Sequence, residues 1–173
     1  MGKQSTKLQP SGQAMLYNFL LNELLASQLK GSYEFWIVSP WVTNFRLDTP
    51  YYVSFQEIVE TKQEALHLFD ILHQIAANGG NVRITVGSDD SDSRYHPPLR
   101  QFSRSCDRIE IRVLPELHTK AYVGRYGSLD GSLNLTGGGV NQNIELYTYY
   151  HDERNIAQLR QICIHHFEQG LPL

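Results

Sequence analysis

His118-Thr119-Lys120-Ala121-Tyr122-Val123-Gly124-Arg125-Tyr126-Gly127-Ser128-Leu129-Asp130-Gly131-Ser132-Leu133-Asn134-Leu135-Thr136 reads as two β-arms joined by a tight turn. Side chains alternate along a strand, so His118, Lys120 and Tyr122 share one face. Thr119, Ala121 and Val123 face the other way, toward a core. The second arm carries Ser132 and Asn134, again two apart. The turn decides whether these side chains meet. A two-residue loop at Arg125-Tyr126 pairs Lys120 with Gly131 and sends Ser132 and Asn134 to the wrong face. A three-residue loop, Arg125-Tyr126-Gly127, pairs His118 with Asn134 and Lys120 with Ser132. Gly127 then occupies the left-handed position that such hairpins need. The three-residue loop is therefore the expectation, and it depends on a register that a one-residue slip would undo.

An imidazole, an ammonium, a hydroxyl and a carboxamide gathered on one face suit a phosphate. Lysine supplies charge, while serine and asparagine supply neutral donors to phosphoryl oxygens. Histidine attacks phosphorus or moves a proton near neutral pH. Its second ring nitrogen needs an acceptor to hold it. Asn143-Ile144-Glu145 follows in a strand-like stretch. Glu145 is the candidate to hold His118, and Asn143 shares its face.

His118-x-Lys120, Gly131-Ser132-x-Asn134 and Asn143-x-Glu145 together resemble the signature of the phospholipase D superfamily. Order and spacing are close to the family's, but Arg125 stands five after the lysine, where the family has aspartate. The path to Gly-Ser-x-Asn is also about one residue shorter. In the family that aspartate is mainly structural, so its loss bears on the local turn.

The resemblance implies an α/β fold, the phospholipase D-like α-β-α sandwich with a mixed central sheet. It also implies two His-Lys motifs per active site, one histidine forming a phosphohistidine and the other protonating the leaving oxygen, with neither metal nor cofactor. This chain carries one motif, so the site is expected across the two-fold axis of a homodimer. Single-motif members resemble small bacterial nucleases, which makes nucleic acid the first expected substrate. Size and organisation are also similar to the phospholipase D-like proteins encoded with bacterial 7-deazapurine DNA-modification systems. That similarity implies a restriction or defence role alongside protein partners. The alternatives are a non-catalytic nucleic-acid-binding module of the same fold within a larger complex, and a phosphodiesterase for phospholipids or small molecules.

The remaining sequence bounds these readings. The 173 residues suffice for one domain with a sizeable core, and 41% hydrophobic against 19% charged residues indicates a globular chain. A net charge of -3 argues against tight non-specific DNA binding, yet five arginines fall between Arg94 and Arg112. Cys106 and Cys163 form no disulfide framework and fit a reducing compartment. With no signal peptide or membrane anchor evident, the reading is a cytoplasmic protein.

Along the chain, residues 1–12 are polar and read as a mobile tail, and 13–173 as a single phospholipase D-like domain. Helices are expected over Gln13–Gln28, Lys62–Ala77 and Glu153–Gln169, with a short one over Leu99–Cys106. Phe35–Val38 reads as a strand buried on both faces, ending at Ser39-Pro40-Trp41, where α/β proteins place ligand contacts. Ser39 and Trp41 border the site on that reading; a strand exit with a packed tryptophan is the alternative. Tyr122 is the further candidate for contact with substrate. Asn81–Gly87, Ile109–Val113 and Ile144–Tyr150 are further strands, and Tyr51–Phe55 a short one. The loop Ser88–Pro98, with Asp89, Asp90, Asp92 and His96, matches no metal-binding spacing and reads as a solvated loop or lid. Gly137-Gly138-Gly139 reads as a flexible connection. His67, His73, His151, His165 and His166 read as structural or exposed.

Overall fold

The computed structural model describes residues 4–7, 10–29, 31–47, 55–59, 65–88, 94–141 and 146–173. Among these, the strands are β1 (Gln4–Lys7), β2 (Glu34–Val38), β3 (Asn81–Gly87), β4 (Ile109–Leu114), β5 (Ala121–Val123), β6 (Ser128–Gly131), β7 (Leu146–Tyr150) and β8 (Leu171–Pro172). The helices are α1 (Pro10–Ser27), α2 (Leu68–Ala77), α3 (His96–Ser103), α4 (Gly137–Asn141) and α5 (Glu153–Gln169). The expected strand at Tyr51–Phe55 lies, but for Phe55, outside the described residues.

The strands form one mixed sheet in the order β1-β7-β6-β5-β2-β3-β4-β8. β2, β3 and β4 run parallel, and the other pairings are antiparallel. Alternation along the strands divides the side chains between two cores. Phe35 and Ile37, Val82, Ile84 and Val86, and Tyr122 face α1, α2 and α3. Trp36 and Val38, with Ala121 and Val123, face Ile156, Leu159, Cys163 and Phe167 of α5. The chain therefore forms the expected α-β-α sandwich with a mixed sheet. Both faces of β2 are covered, which is why its sequence is continuously apolar.

Local chemistry fixes the element ends. Asp152 caps α5 by accepting from Asn155 N at 3.0 Å, and the Asn155 hydrogen bonds hold its carboxyl below the usual range. Gly79, at φ 97°, ends α2. α3 begins three residues before the expected start because Pro97 and Pro98 fit a first helical turn, where no N–H partner is needed. Gln4–Lys7, expected within a tail, pair antiparallel with β7. Gly137–Asn141, expected as a flexible connection, form α4, with Gly139 N donating to Thr136 Oγ1 at 3.0 Å.

β5 runs antiparallel to β2, so its start lies at the edge where the parallel strands end. That edge also receives the end of β6 and the start of β7. One rim of the sheet thus carries Ser39, Trp41, the approach to β5 at His118–Lys120, and Gly131 through Asn134. Carboxyl ends of parallel strands are where open α/β sheets bind ligands.

Candidate active site

The hairpin register differs from the expected one by one residue. Ala121 pairs with Asp130, Tyr122 with Leu129 and Val123 with Ser128. Gly124 N donates to Gly127 O at 3.0 Å, leaving Arg125 and Tyr126 as a two-residue loop. Gly131 N donates to Lys120 O at 3.3 Å, so Gly131 stands opposite Lys120. Ladder alternation therefore does not bring Ser132 and Asn134 to the rim; a bend does. Gly131 has φ 149°, and a Cβ on it would lie 2.2 Å from Leu146 O. Only glycine lets the chain pass so close to β7 in that conformation. Beyond it, Ser132 stays beside β7, Leu133 turns inward, and Leu135 bridges to Val42 after β2.

Gly131→Ala should lower stability by about 2 kcal/mol or more, because it adds both backbone strain and a clash with a carbonyl. A denaturant midpoint equal to wild type would contradict this reading of the bend.

Each side chain of the signature has a distinct placement. His118 is exposed and lines a cleft of about 360 Å³ with Glu116, Thr119, His165 and His166. Glu116, at φ 54°, turns the chain from β4 toward His118. Lys120 Nζ donates to His118 O at 2.8 Å, which places the ammonium beside the histidine backbone. Ser132 Oγ donates to Leu146 O at 3.2 Å and accepts from Leu146 N at 2.9 Å. Asn134 is half-buried, and its Oδ1 accepts from Ser39 Oγ at 3.3 Å. Asn143 and Glu145 lie outside the described residues.

Two residues that the sequence places against substrate are buried instead. Tyr122 is 2% exposed, and its hydroxyl donates to Leu133 O. Its strand parity sends it into the core of α1–α3. Ser39 is fully buried, and its single hydroxyl hydrogen is shared between Trp41 O at 2.9 Å and Asn134 Oδ1 at 3.3 Å. Both therefore hold the Ser132–Asn134 segment. Trp41 is 39% exposed on the rim, and Leu146 is 54% exposed.

Three further supports had no motif to announce them. Thr119 Oγ1 lies 3.1 Å from His166 Nε2, and His166 Nδ1 lies 2.8 Å from Ile162 O. A carbonyl only accepts, so His166 Nδ1 donates to Ile162 O, and Nε2 pairs with the Thr119 hydroxyl. This tethers the residue between His118 and Lys120 to α5. Tyr122 provides the second tether, through Leu133.

Glu23 of α1 provides the third. It is 1% exposed and accepts from Arg125 N at 2.7 Å, Tyr126 N at 3.2 Å and Tyr33 Oη at 2.8 Å. It thus closes the turn that carries Arg125. Gly124 makes room, since a Cβ there would meet Glu23 Cδ at 2.0 Å. The Arg125 side chain reaches outward to Ser32 O at 2.9 Å. The sequence signal for Glu23 was an acid seven residues after Leu16 and four after Phe19, inside the apolar stripe of α1.

No family model matches the sequence, and no curated protein matches it. Solved structures do match the fold. A phospholipase D family member, Nuc from Salmonella typhimurium, superposes with a TM-score of 0.68 at 14% identity over 99% of this chain and 97% of that one. NucT from Helicobacter pylori gives 0.66 at 13% identity, covering 99% of both chains. The fold is that of the phospholipase D-like proteins. TrmBL2, an archaeal chromatin protein whose structure shows a novel mode of DNA binding, gives 0.56 at 11% identity over all of this chain and 55% of that one.

Both superpositions run over nearly the whole length of the two chains compared. Among the described residues, no group of histidines, cysteines and carboxylates is placed to hold a metal, and no helix is long and apolar enough to cross a membrane. Burial pushes the Cys163 thiol up to about 12, which leaves it a packing residue of the α5 core.

Proposed function

We propose that the chain is a phosphodiesterase that cleaves nucleic acid through a phosphohistidine formed on His118. The observation that carries this reading is the gathering of His118, Lys120, Ser132 and Asn134 on one rim of the sheet, in a fold shared with Nuc and NucT. An imidazole nitrogen of His118 attacks phosphorus, and the bond to the leaving oxygen breaks. That oxygen takes a proton from a second imidazole. The second imidazole then deprotonates water, which attacks phosphorus and releases His118.

Lys120 offsets charge on the phosphoryl oxygens. Asn134, with its Oδ1 turned to Ser39, presents its NH₂ to one of them. Ser132 anchors this segment to Leu146. Glu145, one residue earlier, is assigned to hold the His118 ring, and Asn143 to contact substrate.

The second imidazole is His118 of another copy of this chain. A two-fold axis past the rim supplies it, and the exposed Trp41 and Leu146 give that rim apolar surface for a partner. A role in restriction with partner proteins extends the same reading. The alternative is a binding module without catalysis, to which Arg125 in the aspartate position would lend weight. Glu23 removes much of that weight, because it closes the turn that the family's aspartate serves.

Hydrolysis of an activated phosphodiester and of single- and double-stranded DNA in excess EDTA tests the proposal. Activity that resists EDTA, with acid-labile phosphate trapped on the protein after a rapid quench, is the expected result. DNA binding without hydrolysis would replace it with the binding-module reading.

A further inference from the structure

We propose that Arg94, Arg100 and Arg104, on and beside α3, form a track for the phosphate backbone of a polynucleotide leading away from the catalytic rim. The ligand class rests on the nuclease reading above; the track itself rests on separate observations.

α3 is fastened to the rim at its first residue. His96 Nε2 donates to Gly87 O at 2.8 Å, and Gly87 N donates to Pro40 O at 3.0 Å. Pro40 lies between Ser39 and Trp41. From there α3 runs over the sheet with Leu99 and Phe102 buried beneath it. Phe102 stacks on Phe69 of α2, with ring centroids 4.1 Å apart and planes 14° apart. The helix is therefore a fixed platform.

Its outer side is basic. Arg100 and Arg104 are four apart, so they stand on one side, about 6 Å along the axis at 1.5 Å per residue. Both are exposed, as is Arg94, whose guanidinium lies 4.7 Å from the centre of the Tyr95 ring. Residues 94–106 contain these three arginines and no acid. None of the three forms an ion pair with a described residue, whereas Arg83 and Arg112 are both committed to Glu110. In a chain of net charge -3, this segment carries the opposite sign. Asp89, Asp90 and Asp92 precede it and lie outside the described residues.

A guanidinium fork matches phosphate oxygens two at a time and reads no base. Arg100 and Arg104 on one side of the helix, with Arg94 ahead of its first turn, fit an extended sugar–phosphate chain, independent of sequence. A substrate that ends near the scissile bond does not reach them, so affinity should grow with length.

The test compares the full chain with its Arg100→Gln/Arg104→Gln form, both carrying His118→Ala so that the ligand survives. Oligonucleotides of increasing length are titrated at several salt concentrations. Wild-type arginines should give affinity that rises with length. The double variant should bind a long strand about tenfold less tightly at low salt, with a slope of log affinity against log salt shallower by about 1.5. Arg100→Lys/Arg104→Lys should restore most of that slope. Equal affinity, slope and length dependence in the glutamine form, at an equal denaturation midpoint, overturns the track. Loss of binding through these arginines in a protein whose wild type cleaves nothing overturns catalysis and leaves the track standing. Cleavage of long DNA indifferent to the double substitution does the reverse.

Discussion

His118→Ala should reduce phosphodiester hydrolysis about 10³-fold or more while leaving the fold intact. The magnitude follows from removing a nucleophile and a proton carrier in one substitution. The intact fold follows from exposure: the His118 side chain lines a cleft and packs in neither core. Thermal unfolding of the variant should stay within about 0.5 kcal/mol of wild type. A subunit-mixing measurement adds a readout that a merely structural histidine would not move. If two copies share one site, co-refolding equal amounts of wild type and variant strands half of the wild-type subunits in mixed dimers. Activity then falls to about half that of the same wild type refolded alone. Undiminished activity after proven exchange would mean that each subunit works alone, and the second imidazole would have to be sought elsewhere. Activity that survives His118→Ala outright would remove this rim as the catalytic site.

The architecture was legible because its causes are local. Period-two alternation in Asn81–Gly87 and the apolar run before Ser39 give strands, and the stripe through Ile156, Leu159, Cys163 and Phe167 gives a helix. The motif was legible as a set of residues. The path bringing them together was not, because Gly127 suits a three-residue turn as well as the observed two-residue one. The choice is made elsewhere: Glu23 takes the N–H groups of Arg125 and Tyr126, and Gly131 supplies the bend that alternation cannot. Tyr122 and Ser39 illustrate the same limit. A residue type suited to substrate is equally suited to bracing a loop from beneath, and only burial separates the two uses. Sequence patterns report which face a residue takes within its own element. They do not report which distant element closes a turn.

Glu23→Ala should be the most destabilising single change outside the apolar core, at about 3 kcal/mol. It leaves the buried Tyr33 hydroxyl without its acceptor, at roughly 1–3 kcal/mol, and the part-buried N–H groups of Arg125 and Tyr126 as well, at less each because water reaches them, offset in part by relief from burying a carboxylate. Glu23→Gln keeps one acceptor oxygen and should lose less. The two variants also separate packing from charge through pH. Burial pushes the Glu23 carboxyl above its ordinary value of 4.5, outweighing the opposing hydrogen bonds from Arg125 N, Tyr33 and Tyr126 N. A raised carboxyl means that the folded state holds its proton more tightly than the unfolded chain. The resulting stabilisation is complete below about 4.5 and is lost as pH rises through the higher folded value. The stability of wild type relative to Glu23→Gln, measured by denaturant titration, should therefore shrink as pH rises through that window and level off above it. A difference that is flat across the window would mean that the carboxyl is not desolvated as described. Glu23 lies beneath the turn and away from the rim, so its loss should reach catalysis only through the β5–β6 register that places Lys120 opposite Gly131. Activity should then fall with the fraction of hairpin correctly closed and recover at lower temperature, whereas loss of His118 is the same at every temperature.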